Sequence, residues 1–101
     1  MQIICANELE RLVRATFPGK SQFSAEAELG VDPHRRQIVT FVHGGPDPFL
    51  DRQFEEWLSG APVFVAAHQL LNRLCRAGAL APGRYALTRP PESAILAGST
   101  L

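Results

Sequence analysis

The sequence has no surplus of charge, since ten lysine and arginine residues are balanced by ten aspartate and glutamate residues. This balance excludes a generally polybasic protein that holds nucleic acid or anionic membranes by bulk charge. Cysteines are also few: Cys5 and Cys75 lie far apart in the chain, without the spacing of a disulfide framework or a zinc site. We therefore expect two reduced thiols and no structural disulfide.

Long apolar runs are absent as well. The longest, residues 61–67, falls far short of the roughly 20 residues of a membrane-spanning helix. The first residues have neither the basic segment nor the apolar stretch of a secretion signal. We expect a cytoplasmic protein that has no membrane partner.

The sequence does have the length and composition of one globular domain. Its 101 residues suffice for a single core, and 46% hydrophobic with 20% charged residues is typical of a globular fold. We expect one domain over residues 1–88. Residues 89–101 begin with an arginine and two adjacent prolines, and we expect them to form a flexible tail.

Three elements are predicted in the first half of the chain. Hydrophobic residues at helical spacing predict an amphipathic helix over residues 7–17, with Asn7 as its N-cap and Glu10 completing a capping box. Strict alternation of apolar and polar residues over positions 22–29 predicts a half-buried strand. The β-branched and aromatic run at 37–43 predicts its hairpin partner. Because this run is apolar on both faces, we expect it to be the central strand.

Two helices are predicted in the second half. Asp47 as an N-cap, followed by Pro48 at the first helical position, starts a helix that ends before Gly60. Apolar residues recurring at intervals of three and four predict another helix over residues 63–77. Gly78 is placed to end it, because glycine readily takes the left-handed conformation that follows a helix.

A short strand is predicted near the end of the chain. Pro82 and Gly83 suit the two central positions of a type II turn, so residues 84–88 are expected to form a strand after a hairpin turn. The order of elements is then α-β-β-α-α-β. We expect an α+β fold in which a small antiparallel sheet, made of a long hairpin plus the short C-terminal strand, packs against three helices.

One segment carries a catalytic resemblance. Residues 38–46 resemble the oxyanion loop of α/β-hydrolases, because a hydrophobic strand runs into His43-Gly44-Gly45. No G-x-S-x-G nucleophile motif accompanies it, so we interpret the glycines as a strand end and a turn. The histidines and cysteines also lack metal-ligand spacing. We expect a protein that is not an enzyme and takes no cofactor or metal.

Charge is distributed unevenly along the chain although its sum is zero. Residues 1–56 have six bases and nine acids, a net of −3, whereas residues 57–101 have four bases and one acid, a net of +3. Side chains that can donate to phosphates or acids fall on the polar side of the third helix and at the hairpin tip. We call them the predicted basic face: His68, Gln69, Asn72, Arg73, Arg76 and Arg84. The predicted acidic face, on the first strand and the second helix, is Glu26, Glu28, Asp51, Glu55 and Glu56.

Opposite charge on two faces indicates directed association, because complementary charge steers and orients partners. We predict a small non-catalytic regulatory protein, inhibitor or adaptor that binds another macromolecule through the predicted basic face, with a protein as the favoured partner. Self-association through the two faces remains open.

A second hypothesis is DNA binding. Two helices followed by a Pro-Gly hairpin over residues 48–88 resemble a winged helix-turn-helix. The sequence departs from that pattern in two respects. The helix that would enter the groove begins with apolar residues, and the helix before it carries acids that repel phosphates.

Overall fold

The computed structural model describes residues 1–32, 34 and 37–88, and the tail expected over residues 89–101 lies outside them. Within the described part the chain is an α+β domain with the element order β-α-α-β-α-α-β, not the predicted α-β-β-α-α-β. No helix among these residues is long and apolar enough to cross a bilayer. The elements are β1 (Gln2–Cys5), α1 (Ala6–Thr16), α2 (Ala25–Leu29), β2 (Ile38–Val42), α3 (Pro48–Leu58), α4 (Ala67–Arg76) and β3 (Gly83–Thr88).

The sheet is mixed, in the order β1-β3-β2, so the strand that comes last in the chain lies at its centre. β3 pairs in parallel with β1 and antiparallel with β2. The predicted antiparallel sheet, with β2 at its centre, is therefore wrong. Tyr85, Ala86 and Leu87 of β3 are consecutive and all buried, so side chains on both faces of the central strand are withdrawn from solvent. β1 is only four residues long, too short for its sequence pattern to predict it.

β1 runs directly into α1, which changes how that helix begins. The predicted helix is confirmed within one residue, but Asn7 is not its N-cap. Cys5 takes that place, with an extended backbone and no side-chain hydrogen bond. Glu10 does not complete a capping box either, because its Oε2 accepts a hydrogen bond from the backbone N–H of Ala25, 3.1 Å away. That bond ties α1 to the start of α2.

α2 replaces the strand predicted over residues 22–29. The hydroxyl of Ser24 caps the helix by accepting a hydrogen bond from the N–H three residues on, at 3.1 Å, and Gly30 ends it with a φ of 74°. Buried Ala25 and Leu29 stand four residues apart, a spacing that fits a helical turn as well as an alternating strand. The serine cap decides for the helix, together with alanine and glutamate, which are depleted in strands. β2 confirms the other predicted strand but pairs with β3 instead of this segment.

α3 and α4 occur close to where the sequence predicts them. Asp47 caps α3 by accepting a hydrogen bond from the N–H three residues on, at 3.2 Å, and Pro48 takes the first helical position. α4 is shorter than predicted, because residues 61–66 are not helical. Gly78 follows α4 as predicted, with a φ of 84°.

The described helices cover one face of the sheet. Leu9 of α1, Phe54 and Trp57 of α3, and Leu70 of α4 are buried in one core, and the two aromatic rings lie 5.2 Å apart between centroids. Inward-facing strand residues complete the core: Ile4, Ile38, Val42, Tyr85 and Leu87. Strand residues that point the other way are exposed: Ile3, Val39 and Phe41.

Pro82 and Gly83 do not form the tip of a hairpin. Gly83, with a φ of 153°, is already the first residue of β3. β3 pairs with β1 and β2, and both come before α3 in the chain. The winged-helix outline over residues 48–88 therefore has no wing within the described part of the chain, and Arg84 lies in the sheet instead of at a hairpin tip.

Removing the α2 cap tests the helix against the predicted strand. Ser24→Ala deletes the capping hydrogen bond, so we expect the free energy of unfolding to fall by about 1 kcal/mol. Urea unfolding followed by Trp57 fluorescence measures the change. Ser21→Ala, in the exposed segment before α2, is the matched control and should change stability by less than about 0.5 kcal/mol. Equal stabilities for the two variants would contradict the cap.

Candidate functional site

The polar sides of α3 and α4 meet beside the loop that follows β2 and enclose a cleft of about 120 Å³. We call it the polar cleft. It is lined by Asp51 of the predicted acidic face and by five residues of the predicted basic face: His68, Gln69, Asn72, Arg73 and Arg76. The structure thus brings most of the predicted basic face together, but it also places an opposing carboxylate within it.

The two arginines of the polar cleft pair with carboxylates of α3. Arg73 lies 2.7 Å from Oε1 of Glu55 and 3.5 Å from Oδ1 of Asp51, and its guanidinium carbon is 4.6 Å from the centroid of the Phe54 ring. Nη1 of Arg76 lies 2.9 Å from Oδ2 of Asp51. Residues three or four apart share one side of a helix, so each helix presents two like charges to the other. The opposite charges of the two halves of the sequence are therefore paired, in part, within the chain.

The loop after β2 docks on α4 through Arg76. Nη2 of Arg76 donates a hydrogen bond to the carbonyl of Gly45 at 2.6 Å, and Nε donates to the carbonyl of Gly44 at 3.3 Å. Oδ1 of Asn72, one turn earlier on α4, accepts from the backbone N–H of His43 at 2.9 Å. Two neighbouring side chains of α4 thereby hold the end of β2.

Both glycines of the His43-Gly44-Gly45 segment suit this docking. Gly44 has a φ of 69°, and a Cβ there would lie 3.0 Å from Sγ of Cys75. A Cβ on Gly45 would lie 2.8 Å from Nδ1 of His43, and that nitrogen accepts a hydrogen bond from the N–H of Gly45 at 2.9 Å. The N–H that an oxyanion loop would direct at a substrate is here bonded to the imidazole. These glycines therefore serve the geometry of the loop itself.

Gln69 is only 4% exposed and lies between α3 and α4. Its Nε2 donates to the carbonyl of Leu50 at 2.6 Å and to Oε1 of Gln53 at 3.3 Å. Its Oε1 accepts from the N–H of Ala66 at 3.3 Å. These bonds join α3 to the start of α4 and hold Gln69 inward, away from the surface where a partner would meet it.

The arginines also change the acidity of the polar cleft. A hydrogen bond from Arg76 is the strongest of the effects that hold the pKa of Asp51 below its usual range, whereas burial acts in the opposite direction. A hydrogen bond with the backbone of Asp47 and the positive charges of Arg76 and Arg73 lower this pKa further. Asp51 therefore keeps its negative charge, and with it the ion pairs, to more acidic pH than an isolated aspartate would.

Three acids of the predicted acidic face lie outside this network of ion pairs. Oε1 of Glu28 accepts a hydrogen bond from Nε1 of Trp57 at 2.9 Å and lies 3.8 Å from Nζ of Lys20. Glu26 is exposed on α2, and Glu56 is exposed on α3. Glu28 thus links α2 to α3, which is a role in the fold that the alternating sequence pattern did not indicate.

The last two residues of the predicted basic face are exposed in different places. His68 lies at the rim of the polar cleft, on the first turn of α4. Arg84 lies in β3, with its guanidinium carbon 5.7 Å from the centroid of the Phe41 ring. Arg84 is therefore not part of the polar cleft.

A second candidate surface, on the side of the sheet opposite the core, was not predicted from the sequence. Ile3, Ala86 and Val39 stand side by side across the three strands, and Arg84 stands beside Phe41. We call these five residues the outer sheet face. Val39 is 45% exposed and Phe41 is 70% exposed. The apolar character of both faces of β2 is the available signal: it favours a central strand, whereas β2 lies at the edge of the sheet with one apolar face exposed.

Within the described residues, no group of three or more His, Cys, Asp or Glu side chains is arranged to hold a metal ion. Cys5 and Cys75 are free thiols. The chain has no significant match among known protein families, curated proteins or solved structures.

Gly44 offers a direct test of how the loop docks on α4. Gly44→Ala forces a strained backbone and a close contact with Cys75, so we expect the free energy of unfolding to fall by about 1–3 kcal/mol. Gly19→Ala is the matched control, because the φ of Gly19 is not positive and a Cβ there meets no heavy atom within 4 Å. It should leave stability unchanged or raise it by less than about 1 kcal/mol. Urea unfolding measures both, and equal effects would contradict the docking.

The depressed pKa of Asp51 makes stability depend on pH. An aspartate whose pKa is lower in the folded chain than its unfolded value of about 3.9 contributes stability above that value and loses it as pH falls through the folded pKa. Arg76→Gln should raise the pKa of Asp51 and shrink this acid-dependent loss. Carboxyl-carbon NMR titration and urea unfolding across the acidic range measure the two effects.

Arg52→Gln is the control for that titration, since Arg52 is exposed on the same helix and does not contribute to the shift of Asp51. It should leave the pKa of Asp51 where it is in the unsubstituted chain. An Asp51 pKa that does not move in the Arg76→Gln variant would show that the hydrogen bond from Arg76 is not its main cause.

Proposed function

We propose that the chain is a small non-catalytic regulatory or adaptor protein that acts by binding another protein through the outer sheet face. The exposure of large apolar side chains there is the observation that carries the proposal. Large apolar side chains exposed on one face, with a charged group at the rim, are typical of protein-binding surfaces. Phe41 contributes the largest exposed side chain, and it lies beside Val39 along the same edge of the sheet.

The hydrophobic effect supplies the driving force. Removing apolar surface from water gains about 25 cal/mol per Å², and an aromatic side chain can bury on the order of 150–250 Å². Ile3 and Val39 stand in one row of the sheet, on either side of Ala86, so one partner can cover them together. The core residues on the other face of the sheet are already covered by helices and gain nothing from a partner.

Arg84 provides a positive charge that can orient a partner on this surface. It is the one member of the predicted basic face that belongs to the outer sheet face, and its charge sits beside Phe41. A charged group at the rim of an apolar patch orients a partner that carries the opposite charge. The proposal therefore keeps a role for a predicted basic residue, while the apolar side chains supply the contact area.

The polar cleft is less suited to hold a partner. A ligand that engages Arg73 or Arg76 must compete with Asp51 and Glu55, which already lie within ion-pair distance. Removing one member of a partly buried ion pair leaves the other uncompensated, which is unfavourable. We assign these arginines to the internal structure of the chain.

DNA binding through residues 48–88 stays the second hypothesis. Phosphates would face the same competition, because Asp51 and Glu55 repel them and occupy the arginines. Within the described residues the resemblance to a winged helix is limited to α3 and α4, since no wing accompanies them. Arg84, which would sit on the wing, lies across the sheet from the core.

Copurification of the tagged chain from its host tests the proposal. A stoichiometric protein partner should be recovered with the unsubstituted chain. Phe41→Ser should weaken the complex by more than about tenfold, because the most exposed apolar side chain of the outer sheet face is lost. Phe49→Ser is the matched control: Phe49 is 82% exposed but lies on α3, and its loss should leave the complex intact. Circular dichroism of both variants verifies that they fold.

Retention of the partner by Phe41→Ser, or its loss in both serine variants, would contradict the proposed surface. Gel shifts with double-stranded DNA distinguish DNA binding from protein binding. Binding whose affinity falls steeply with salt, and which Arg73→Gln weakens, would favour DNA as the partner.

A further inference from the structure

We infer that the partner contributes an extended segment, which adds to the open edge of β2 as a further strand. Apolar side chains of that segment enter a groove beside β2, and a carboxylate of the segment pairs with Arg84. The inference rests on the proposed function, because it names the kind of partner that the outer sheet face fits.

Among the described residues, no strand pairs with the outer edge of β2. β2 pairs there with β3 on one side only, so every second residue directs its backbone N–H and C=O groups away from the sheet. Folded proteins usually protect such an edge with lysine, proline, a bulge or a very short strand. β2 reads Ile-Val-Thr-Phe-Val and has none of these. β1, at the opposite edge, is the shorter of the two at four residues.

A groove of about 270 Å³ lies along this edge. We call it the β2 groove, and its walls are mainly apolar: they include Ile38 and Val39 of β2, Leu29 after α2, and Phe64 and Ala67 at the approach to α4. Pockets for small-molecule ligands usually span about 300–1,000 Å³, so this groove is better matched to one or two amino-acid side chains. Phe64 is 70% exposed and would become covered as such a side chain enters.

Arg84 sets the charge of the occupant. Its guanidinium lies over Phe41, its cross-strand neighbour on β2, so the positive charge is displaced from the centre of the sheet toward the β2 edge. Phe41 is neutral, and none of the ion pairs among residues 1–32, 34 and 37–88 includes Arg84. A partner that excludes water from Phe41 therefore needs a carboxylate at this position, because a desolvated charge is costly without an opposite one.

The exposed area favours a single strand over a second copy of this chain. Phe41, Phe64, Val39 and Ile3 together expose on the order of 500 Å². A stable interface needs about 800 Å² on each partner. Strand addition requires less, because main-chain hydrogen bonds supply much of its affinity. A second copy would also bring another Arg84 to the outer sheet face, with no carboxylate among the five residues of that face to pair with it.

A displayed library of random nine-residue peptides, selected on the purified full chain, tests the inference. We expect enrichment of sequences with apolar residues at alternate positions and aspartate or glutamate at an intervening one, since alternate side chains of a strand face opposite sides. The charge-reversal variant Arg84→Glu should shift the preference at that intervening position to lysine or arginine.

Affinities of the enriched peptide, made synthetically, then locate the site. Phe64→Ala should weaken binding by about fivefold or more, as expected for a side chain that forms a wall of the β2 groove. Phe49→Ala, which removes an equally exposed ring on α3, should leave affinity unchanged. Replacing the acid of the peptide by glutamine should weaken its binding to the unsubstituted chain about two- to fivefold. The same replacement should leave its affinity for the Arg84→Gln variant unchanged.

Three results would overturn the inference: no enrichment of alternating sequences, an acidic preference that survives Arg84→Glu, or a dimer in sedimentation equilibrium that Phe64→Ala dissociates. The last would assign the β2 edge to a second copy of the chain. Failure of strand addition remains distinct from failure of the proposed function. A host partner that depends on Phe41, found together with a library that yields no alternating sequences, would support protein binding at the outer sheet face by another mode.

Discussion

The central position of β3 is the constraint on which the rest of this structure depends. β3 comes last of the described elements, yet it pairs with both β1 and β2, so the sheet is complete only when residues distant in the chain meet. Tyr85 and Leu87 face the helices and close the core, whereas Ala86 faces the opposite side between Ile3 and Val39. The described helices cover one face of this sheet, and Ile3, Val39 and Phe41 are exposed on the other. The core and the open surface are therefore two consequences of one arrangement.

Charge is organised by the packing of α3 on α4. The sequence places acids before position 57 and bases after it, which suggests two surfaces of opposite sign that would meet different partners. Asp51 and Glu55 instead meet Arg73 and Arg76 within the chain, and Phe54 fills the space beneath Arg73. Charge asymmetry along a sequence therefore does not distinguish two separate charged surfaces from ion pairs within the chain. Two helices that follow each other in the chain usually also pack together, so their opposite charges can meet.

The sequence predicts those elements whose signals are local. The start of α3 follows from Asp47 and Pro48, and the end of α4 follows from Gly78, because capping is settled by a few adjacent residues. The alternation over residues 22–29 predicts a strand because Ala25 and Leu29, four residues apart, share one face in a strand and in a one-turn helix alike; Ala27, which a strand would also bury, is exposed in α2. The position of β2 at an edge could not be predicted, since it depends on which distant strand takes the centre. The same holds for the candidate site: the pattern places Arg84 at a hairpin tip, whereas it lies in β3 beside Phe41, and Phe41 is exposed because it points to the side of the sheet opposite the core.

The polar cleft and the outer sheet face are mechanically connected through the end of β2. Val42 is the last residue of that strand, and the next residue, His43, is held by Asn72 through its backbone N–H. Arg76 holds the carbonyls that follow, so the C-terminal half of α4 fixes one end of β2. The N-terminal end of the same helix contributes Ala67 to the β2 groove. One rigid helix therefore sets the distance between β2 and the opposite wall of the groove. In this arrangement the residues that sequence reasoning assigned to a binding surface keep β2 in place, and the surface that we propose to bind lies on the other side of the strand they hold.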